Sequence, residues 1–423
     1  MDPLDVEKEV RPYFPALQKD GFIYAENAGG SQILGSCVDR ITDYLLNSNA
    51  QLGGGYKQAK VSQERIEMAP KYTAALINAA DASEIAFGAN STQLLQNLAS
   101  ALEPTLKTTD EIVCTNTDHE ANIGPWVRLA ERQKMPLKQW KVNPKTLTLE
   151  LDDLRKLLNQ NTRMVCVTHC SNILGSNNDV REISRIVHET CPNAEVCIDG
   201  VAYAAHRRID VRKFDVDYYV WSYYKQYGPH TSVLYARSAS QDRLTSLAHY
   251  FFSHDKPKKL QPGGVNYELS YGSTAVLPYI LSLSSREASP QASVDLEDPD
   301  LQATLDRAYD RIAEHEEKIL TPLIEYLKSN SKFRILGAET PSKKVRSPTV
   351  SFMVESRKSS DIVAAFEKDG ACGIRCGYAY ANRLCEDALD LPEDGPVRVS
   401  LVHYNTADDV KYILSMLKAI VES

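Results

Sequence analysis

The residue best placed for covalent chemistry is a single lysine between two strand-like runs. Lys225 lies in Trp221-Ser222-Tyr223-Tyr224-Lys225-Gln226-Tyr227-Gly228-Pro229-His230, after Asp217–Val220 and before Thr231–Tyr235. An unpaired ammonium taken out of water is costly. A lysine so placed needs a paired charge, a lowered pKa or a covalent bond to a carbonyl carbon; the plain alternative is a strand-end lysine reaching solvent. Asp199 ends the apolar run Glu195–Asp199 and precedes Gly200. It reads either as a turn residue or as a carboxylate paired with a buried cation, such as a protonated heterocyclic nitrogen. One further strand separates it from Lys225, so both can face one cleft.

Four more positions follow strand-like runs or lie in one. His119, in Asp118-His119-Glu120-Ala121-Asn122-Ile123-Gly124-Pro125-Trp126, is either a hydrogen-bonded structural histidine or a ring that stacks on a flat ligand. Asn172 holds the matching place in Thr168-His169-Cys170-Ser171-Asn172-Ile173-Leu174-Gly175, where an Asx turn before Gly175 is the alternative. Asn90-Ser91-Thr92 opens a helical pattern straight after a strand. These types favour an N-cap, and the free N–H groups and dipole of a helix start also favour an anion such as phosphate. Arg398 sits in the apolar run Val397–Val402, which calls for a carboxylate from the protein or from a ligand. No C-x-x-C, H-E-x-x-H or acidic calcium loop is present, so no metal site is expected; Cys372 and Cys376, four apart, are a weak exception.

Alternating strand and helix patterns must position these groups. Strands are predicted at 84–88, 111–115, 163–168, 195–199, 217–220 and 231–235, with helices at 91–102, 122–132 and 181–189. Continuous apolar strands between amphipathic helices argue for an α/β sandwich on a mainly parallel sheet, in which ligands collect at the carboxyl ends of the strands. Beyond a less regular stretch, 300–329 reads as one long helix with a break near Pro322. Strands at 349–352 and 397–402 and helices at 359–369 and 407–421 then suit a small α+β domain. The 423 residues fit one large domain with a smaller companion. A net charge of −8 argues against nucleic acid or an anionic membrane as partner. Nine scattered cysteines, several in apolar runs, suit reduced thiols. With no signal-peptide pattern after Met1 and no run near the roughly 18 apolar residues of a membrane span, the expectation is a cytoplasmic protein.

Asn27-Ala28-Gly29-Gly30-Ser31-Gln32, the His119 and Asn172 blocks, Asp199-Gly200 and Ser222-x-x-Lys225-x-x-Gly228-Pro229 together resemble the class V aminotransferase family of fold-type I pyridoxal-phosphate enzymes, in its cysteine-desulfurase-like branch. The resemblance runs from about Arg11 to Thr406. It implies a large domain, residues 1–290, with a mainly parallel seven-stranded sheet. A smaller α+β domain, residues 291–423, would receive the N-terminal segment, and two copies would pair as a homodimer. With pyridoxal 5'-phosphate as cofactor, Lys225 resembles the Schiff-base lysine that also moves protons at Cα. Asp199 is similar to the acid that keeps the pyridine nitrogen protonated, and His119 to the histidine stacked on the ring. Asn172 would contact the ring oxygen or substrate, Ser91, Thr92 and Ser222 the phosphate, and Arg398 the substrate α-carboxylate.

The departures bear on the reaction. Tyr224 stands where desulfurases carry histidine, Ala202 where they carry glutamine, and Gly264 where a threonine reaches the phosphate of the second subunit. Tyr380, in Arg375-Cys376-Gly377-Tyr378-Ala379-Tyr380, holds the place of the persulfide cysteine and would face substrate instead. What is implied is an enzyme acting on an amino acid through a Cα carbanion, with C–S lyase or β-elimination chemistry and no persulfide. A cyclase forming a carbon–carbon bond, as in fungal-type alkaloid biosynthesis, is the second expectation, and a non-catalytic cofactor-binding sensor the third.

Overall fold

The structure is a computed structural model and describes residues 2–19, 21–290 and 292–422, the side chain of Glu422 excepted. Among the described residues thirteen strands occur, in the order β1 (Ile23–Tyr24), β2 (Ile85–Gly88), β3 (Glu111–Thr115), β4 (Leu137–Trp140), β5 (Thr162–Thr168), β6 (Glu195–Asp199), β7 (Tyr218–Ser222), β8 (Ser232–Ala236), β9 (Phe333–Leu336), β10 (Thr349–Val354), β11 (Cys372–Gly373), β12 (Arg375–Cys376) and β13 (Val397–Ser400). Seven of them form one sheet in the order β2-β8-β7-β6-β5-β3-β4, parallel except for β8, which is antiparallel to both neighbours.

The central strands read as unbroken apolar runs because helices cover both faces of the sheet. On β5, Val165 and Val167 enter one core cluster while Met164 and Cys166 enter the other. Val196 and Ile198 against Cys197 repeat the split on β6, as do Tyr219 and Trp221 against Tyr218 and Val220 on β7. Each side chain alternates across the pleat, and each such burial is worth about 1.5–3 kcal/mol. The same ladder sets Cys114, Cys166 and Cys197 side by side in register. All nine cysteines are free thiols, eight buried and Cys376 half-buried.

A second, antiparallel sheet in the order β12-β13-β10-β9 lies beyond the long helix Leu301–Ser329. That helix runs straight through Pro322, where a break had been expected. Leu320, Leu323 and Ile324 are buried on either side of the proline, and packing of that face outweighs the one lost hydrogen bond. The expected helix at 122–132 begins instead at Gly124, after the short 3-10 turn Glu120–Asn122. Strand β4 was not anticipated: Leu137–Trp140 is a half-buried edge strand with two polar residues and little β character.

The N-terminal segment joins the second sheet. β1 pairs with β11, and Ser400 N–H donates to Ala25 O at 2.7 Å while Asn27 N–H and Nδ2 donate to Ser400 O. This lashing brings Glu26 beside Arg398. Among the described residues no helix is long and apolar enough to cross a membrane, and no group of three or more His, Cys, Asp or Glu could hold a metal ion.

Candidate active site

The carboxyl ends of β3, β5, β6 and β7 lie on one edge of the large sheet, and the segments leaving them carry the candidate residues. β7 ends at Ser222 and turns through Tyr223–Lys225, closed by Gln226 N–H to Tyr223 O at 2.8 Å. Lys225 thereby opens on a cleft walled also by Asn90, Ser91, Thr92, His119, Asn172 and Asp199. Apart from that opening its side chain is enclosed by protein, and burial pushes its ammonium down from 10.5 to about 8. Arg398 adds to the fall and Asp199 opposes it. A fraction of the amine is therefore neutral, and nucleophilic, near neutral pH.

Asp199 closes β6 opposite Lys225 and is 4% exposed. Its Oδ1 accepts Val201 N–H at 2.9 Å, yet burial still raises the carboxyl to about 6. A second acid, Asp118, stands behind it. Asp118 is buried, accepting from the Thr115 and Thr117 hydroxyls at Oδ1 and from Asn122 Nδ2 at 2.7 Å at Oδ2. Burial raises it to about 7, with the nearby Asp199 charge adding. Sequence reasoning passed over Asp118; its signal was the pair of hydroxyl residues, Thr115 and Thr117, just before it.

His119 caps the turn Glu120–Asn122, its Nδ1 accepting Ala121 N–H at 3.0 Å. That bond leaves the neutral ring's proton on Nε2. Burial, then Lys225 and Arg398, push the imidazole down to about 4, so the ring is uncharged at neutral pH and suited to stacking. Its partner here is Tyr380, with ring centroids 5.1 Å apart and planes tilted by 38°. Tyr380 itself is 72% exposed. The loop that bears it is pinned by Glu120 N–H to Tyr380 O at 2.8 Å and by Arg383 Nε to Glu120 Oε2 at 2.9 Å. Ala379 and Tyr380 hold φ of +46° and +60°, left-handed conformations that cost about 1 kcal/mol or more each.

Asn172 does not present a free amide to the cleft. Its Nδ2 donates to Ala379 O at 2.8 Å, so the 376–381 loop holds it. The tight turn that aims it needs Gly175, whose φ is +68° and where a Cβ would run into Thr349 O. Arg398 comes from β13 of the other sheet and is 4% exposed. Its Nη1 donates to Asn172 O at 3.2 Å, its Nη2 lies 4.0 Å from Glu26 Oε1, and its Nε has no partner among the described residues. Burial lowers the guanidinium to about 10 despite Glu26. A buried fork this short of acceptors suits an incoming carboxylate.

Ser91 and Thr92 are the first two residues of the helix Ser91–Leu102. Asn90 caps it by accepting Gln93 N–H at 2.8 Å, and Gln93 Oε1 takes Ala89 N–H at 3.0 Å. The N–H groups of Ser91 and Thr92 have no acceptor within the helix, so they and the dipole form an anion site on the cleft wall. Ser222 is not on that wall. Its hydroxyl is fully buried against Ser232 Oγ at 2.6 Å. Cys170 does line the cleft, but burial raises its thiol to about 11. Cys376 packs against the small-sheet core and Cys385 is buried elsewhere. An amine, an acid opposite it and an anion site thus share one cavity that holds no activated thiol, and the Arg398 guanidinium lies near enough to act on Lys225 and His119.

The sequence matches the model of the family described as Aminotransferase class-V over residues 23–298 and 300–413. It is 42% identical over 424 residues to the Aminotransferase-like protein FGM3 of Gibberella zeae, with 98% of each chain covered. With the Cysteine desulfurase-like protein ustD of Aspergillus flavus it shares 33% identity over 433 residues, covering 99% of this chain and 91% of that one. The solved apo structure of a cysteine desulfurase from Thermococcus onnurineus NA1 superposes with a TM-score of 0.84 over 100% of both chains at 23% identity, a likeness of fold.

Proposed function

Because the chain belongs to the aminotransferase class-V family, in its cysteine-desulfurase-like branch, we propose that it cleaves a β-substituent from an α-amino acid without passing sulfur to a protein thiol. It is a pyridoxal 5'-phosphate-dependent enzyme. The residues present fit that cofactor: the uncapped N–H groups of Ser91 and Thr92 suit its phosphate, the His119 plane its ring, Asp199 its ring nitrogen and Lys225 its aldehyde. When bound, the cofactor supplies an electron sink for negative charge at the substrate Cα.

The chain's own groups do the rest in this reading. Arg398 takes the α-carboxylate on its unpartnered Nε edge and so aims the Cα–H bond at Lys225. Lys225, with its lowered pKa, takes that proton and returns one later. Asp199, held in place by Val201 N–H, keeps a negative charge beside the ring nitrogen. His119 stays neutral and covers the ring face. The single observation that carries the reading is the cleft walled by Lys225, Asp199 and the Ser91–Thr92 helix start, with the Arg398 guanidinium close enough to lower the Lys225 pKa. Its reaction class rests on the thiols: Cys170 is buried and protonated, Cys376 faces away, and Tyr380 cannot accept sulfur. A β-substituent then leaves as an anion, and one water molecule hydrolyses the released 2-imino acid to a 2-oxo acid and ammonia.

The test offers the loaded enzyme cysteine, S-alkyl cysteines and O-acyl serines. Equal amounts of 2-oxo acid and leaving group are expected; alanine with sulfur left on the protein would sink the proposal. A second reading, carbon–carbon bond formation at the activated carbon, draws on a groove that shares Tyr224 with the cleft and runs along Asn27–Ile33. Gly29 and Gly30 keep this groove open, since a Cβ at Gly30 would press on the Tyr224 ring at 3.3 Å. A product heavier than the amino acid offered, seen by mass spectrometry, would favour it. We also propose a homodimer, supported by Val38, Leu45 and Leu46 exposed on the helix Gly35–Asn47, and a cytoplasmic setting, supported by nine free thiols.

A further inference from the structure

We infer that Asn172 is a positioning residue that couples occupancy of the Arg398 carboxylate site to the loop carrying Tyr380. The inference rests on the reading of Arg398 as the substrate carboxylate site. It starts from the two ends of one residue. The Asn172 carbonyl takes Arg398 Nη1 at 3.2 Å, and the Asn172 amide donates to Ala379 O at 2.8 Å. Glu26 also lies between that guanidinium, at 4.0 Å, and Arg375, at 2.9 Å, but it reaches the loop only at its start and not at Ala379 or Tyr380.

The Arg398 end is the weaker. At 3.2 Å the bond is at the long limit for N–H···O, and the fork has an unpartnered Nε beside it. A carboxylate binding in the plane of the fork draws two of its N–H groups to itself, in competition with the Asn172 carbonyl. The loop end is poised to respond. Ala379 and Tyr380 occupy left-handed conformations that residues with a Cβ avoid, and neighbouring contacts hold them there. Those contacts are the Asn172 amide on Ala379 O, the Glu120 N–H on Tyr380 O, and the Arg383–Glu120 ion pair. When the Asn172 turn shifts with its carbonyl, one of the three restraints changes, and the Tyr380 ring moves relative to His119. Specificity follows from the same link. Only a ligand with a carboxylate at Arg398 resets the loop, so an amine lacking that group leaves Tyr380 where it is.

Because coupling is reciprocal, a loop held less firmly must also alter carboxylate affinity. The test uses the loaded enzyme and propionate, a carboxylate with no amine, so that the cofactor is not engaged. Tyr380→Trp provides the reporter, since Trp126, Trp140 and Trp221 are all fully buried and an exposed indole emits apart from them. Propionate should inhibit competitively and shift the emission of Y380W saturably at the same midpoint. In N172A/Y380W inhibition should persist, within about tenfold, while the shift is lost. In Arg383→Ala the propionate affinity should change about fivefold or more, and adding N172A should abolish that change. Competitive inhibition with no emission shift in Y380W overturns the coupling and leaves Arg398 as the carboxylate site. An equal shift in N172A/Y380W does the same. Propionate that neither inhibits nor shifts the emission overturns the Arg398 reading, and the coupling with it.

Discussion

Replacing Arg398 with methionine should leave the protein as stable as before, or more so, while removing most of its activity. Burial of the guanidinium, net of the attraction of Glu26, takes its pKa from 12.5 to about 10. That corresponds to about 3 kcal/mol working against the charged form in the fold. Against it stands one charge-assisted hydrogen bond to Asn172 O at 3.2 Å, worth about 1.5–3 kcal/mol. The side chain therefore contributes about nothing to folding, or a kcal/mol or so of destabilisation. Arg398→Met keeps the volume, removes the buried charge, and leaves Glu26 paired with Arg375 at 2.9 Å. Bound substrate reverses the balance. Two charge-assisted bonds to a carboxylate, at about 1.5–3 kcal/mol each, amount to about 3–6 kcal/mol, or on the order of 10² to 10⁴ in kcat/KM. The assay pairs chemical denaturation of the apoenzyme with kinetics on an amino acid and on the matching amine that lacks the carboxylate. The wild type should prefer the acid by that factor, and the variant should treat both nearly alike. A variant destabilised by more than about 2 kcal/mol, or one that loses activity on both substrates equally, would refute the reasoning and make Arg398 a structural residue.

Lys225→Ala should lose the visible absorbance of the bound cofactor and slow exchange of the substrate Cα proton in deuterated water by about 10²-fold or more; exchange at the wild-type rate would exclude Lys225 as the proton carrier. Cofactor uptake by the apoenzyme requires the neutral amine, so its rate should rise with pH through a midpoint near 8 and then level off; a rate still rising steeply toward pH 10 would show an ammonium unperturbed by its surroundings. The Asp118 carboxyl, raised from 3.8 to about 7 in the fold, binds its proton more tightly there than in the unfolded chain. Its contribution is fully present below about pH 4 and is lost as pH rises through about 7. Asp118→Asn should therefore raise apoenzyme stability at pH 8 by up to about 4 kcal/mol, the gap closing near pH 4, because Asn122 Oδ1 has no partner now and can accept from the new amide. Equal stability of the two proteins at pH 8, measured by urea titration, would mean Asp118 is ionised at no cost.

Most of what places the cleft was legible in the chain. Each candidate from Ser91 to Lys225 ends an apolar run or lies within a few residues of its end, and runs such as Glu111–Thr115 and Glu195–Asp199 fall where strands form because both pleat faces are covered. The start of the helix at Ser91 was equally plain, since its Asn90 cap is a local hydrogen bond. Less was legible where a side chain had several uses open to it. Ser222 reads as a phosphate ligand by position, yet its hydroxyl is turned to Ser232 across the β7–β8 pair. Asp118 reads as nothing in particular until its Thr115, Thr117 and Asn122 cage is seen closed around it. Pro322 suggested a break in a helix that packing carries through.

The dividing line is the range of the interaction. Strand and helix periods, caps, and the rule that chemistry gathers at the carboxyl ends of parallel strands act over a few residues, so composition and spacing alone settled where Lys225, Asp199 and the Ser91–Thr92 helix start must lie. The bonds that tie Asn172 to Ala379 and to Arg398 join positions 207 and 226 residues apart. They exist only because β13 and the segment carrying Ala379 come against the turn that follows β5. Which donors of Arg398 stay unpartnered, and which aromatic ring covers His119, follow from that packing, since no local pattern encodes the distance between two sheets.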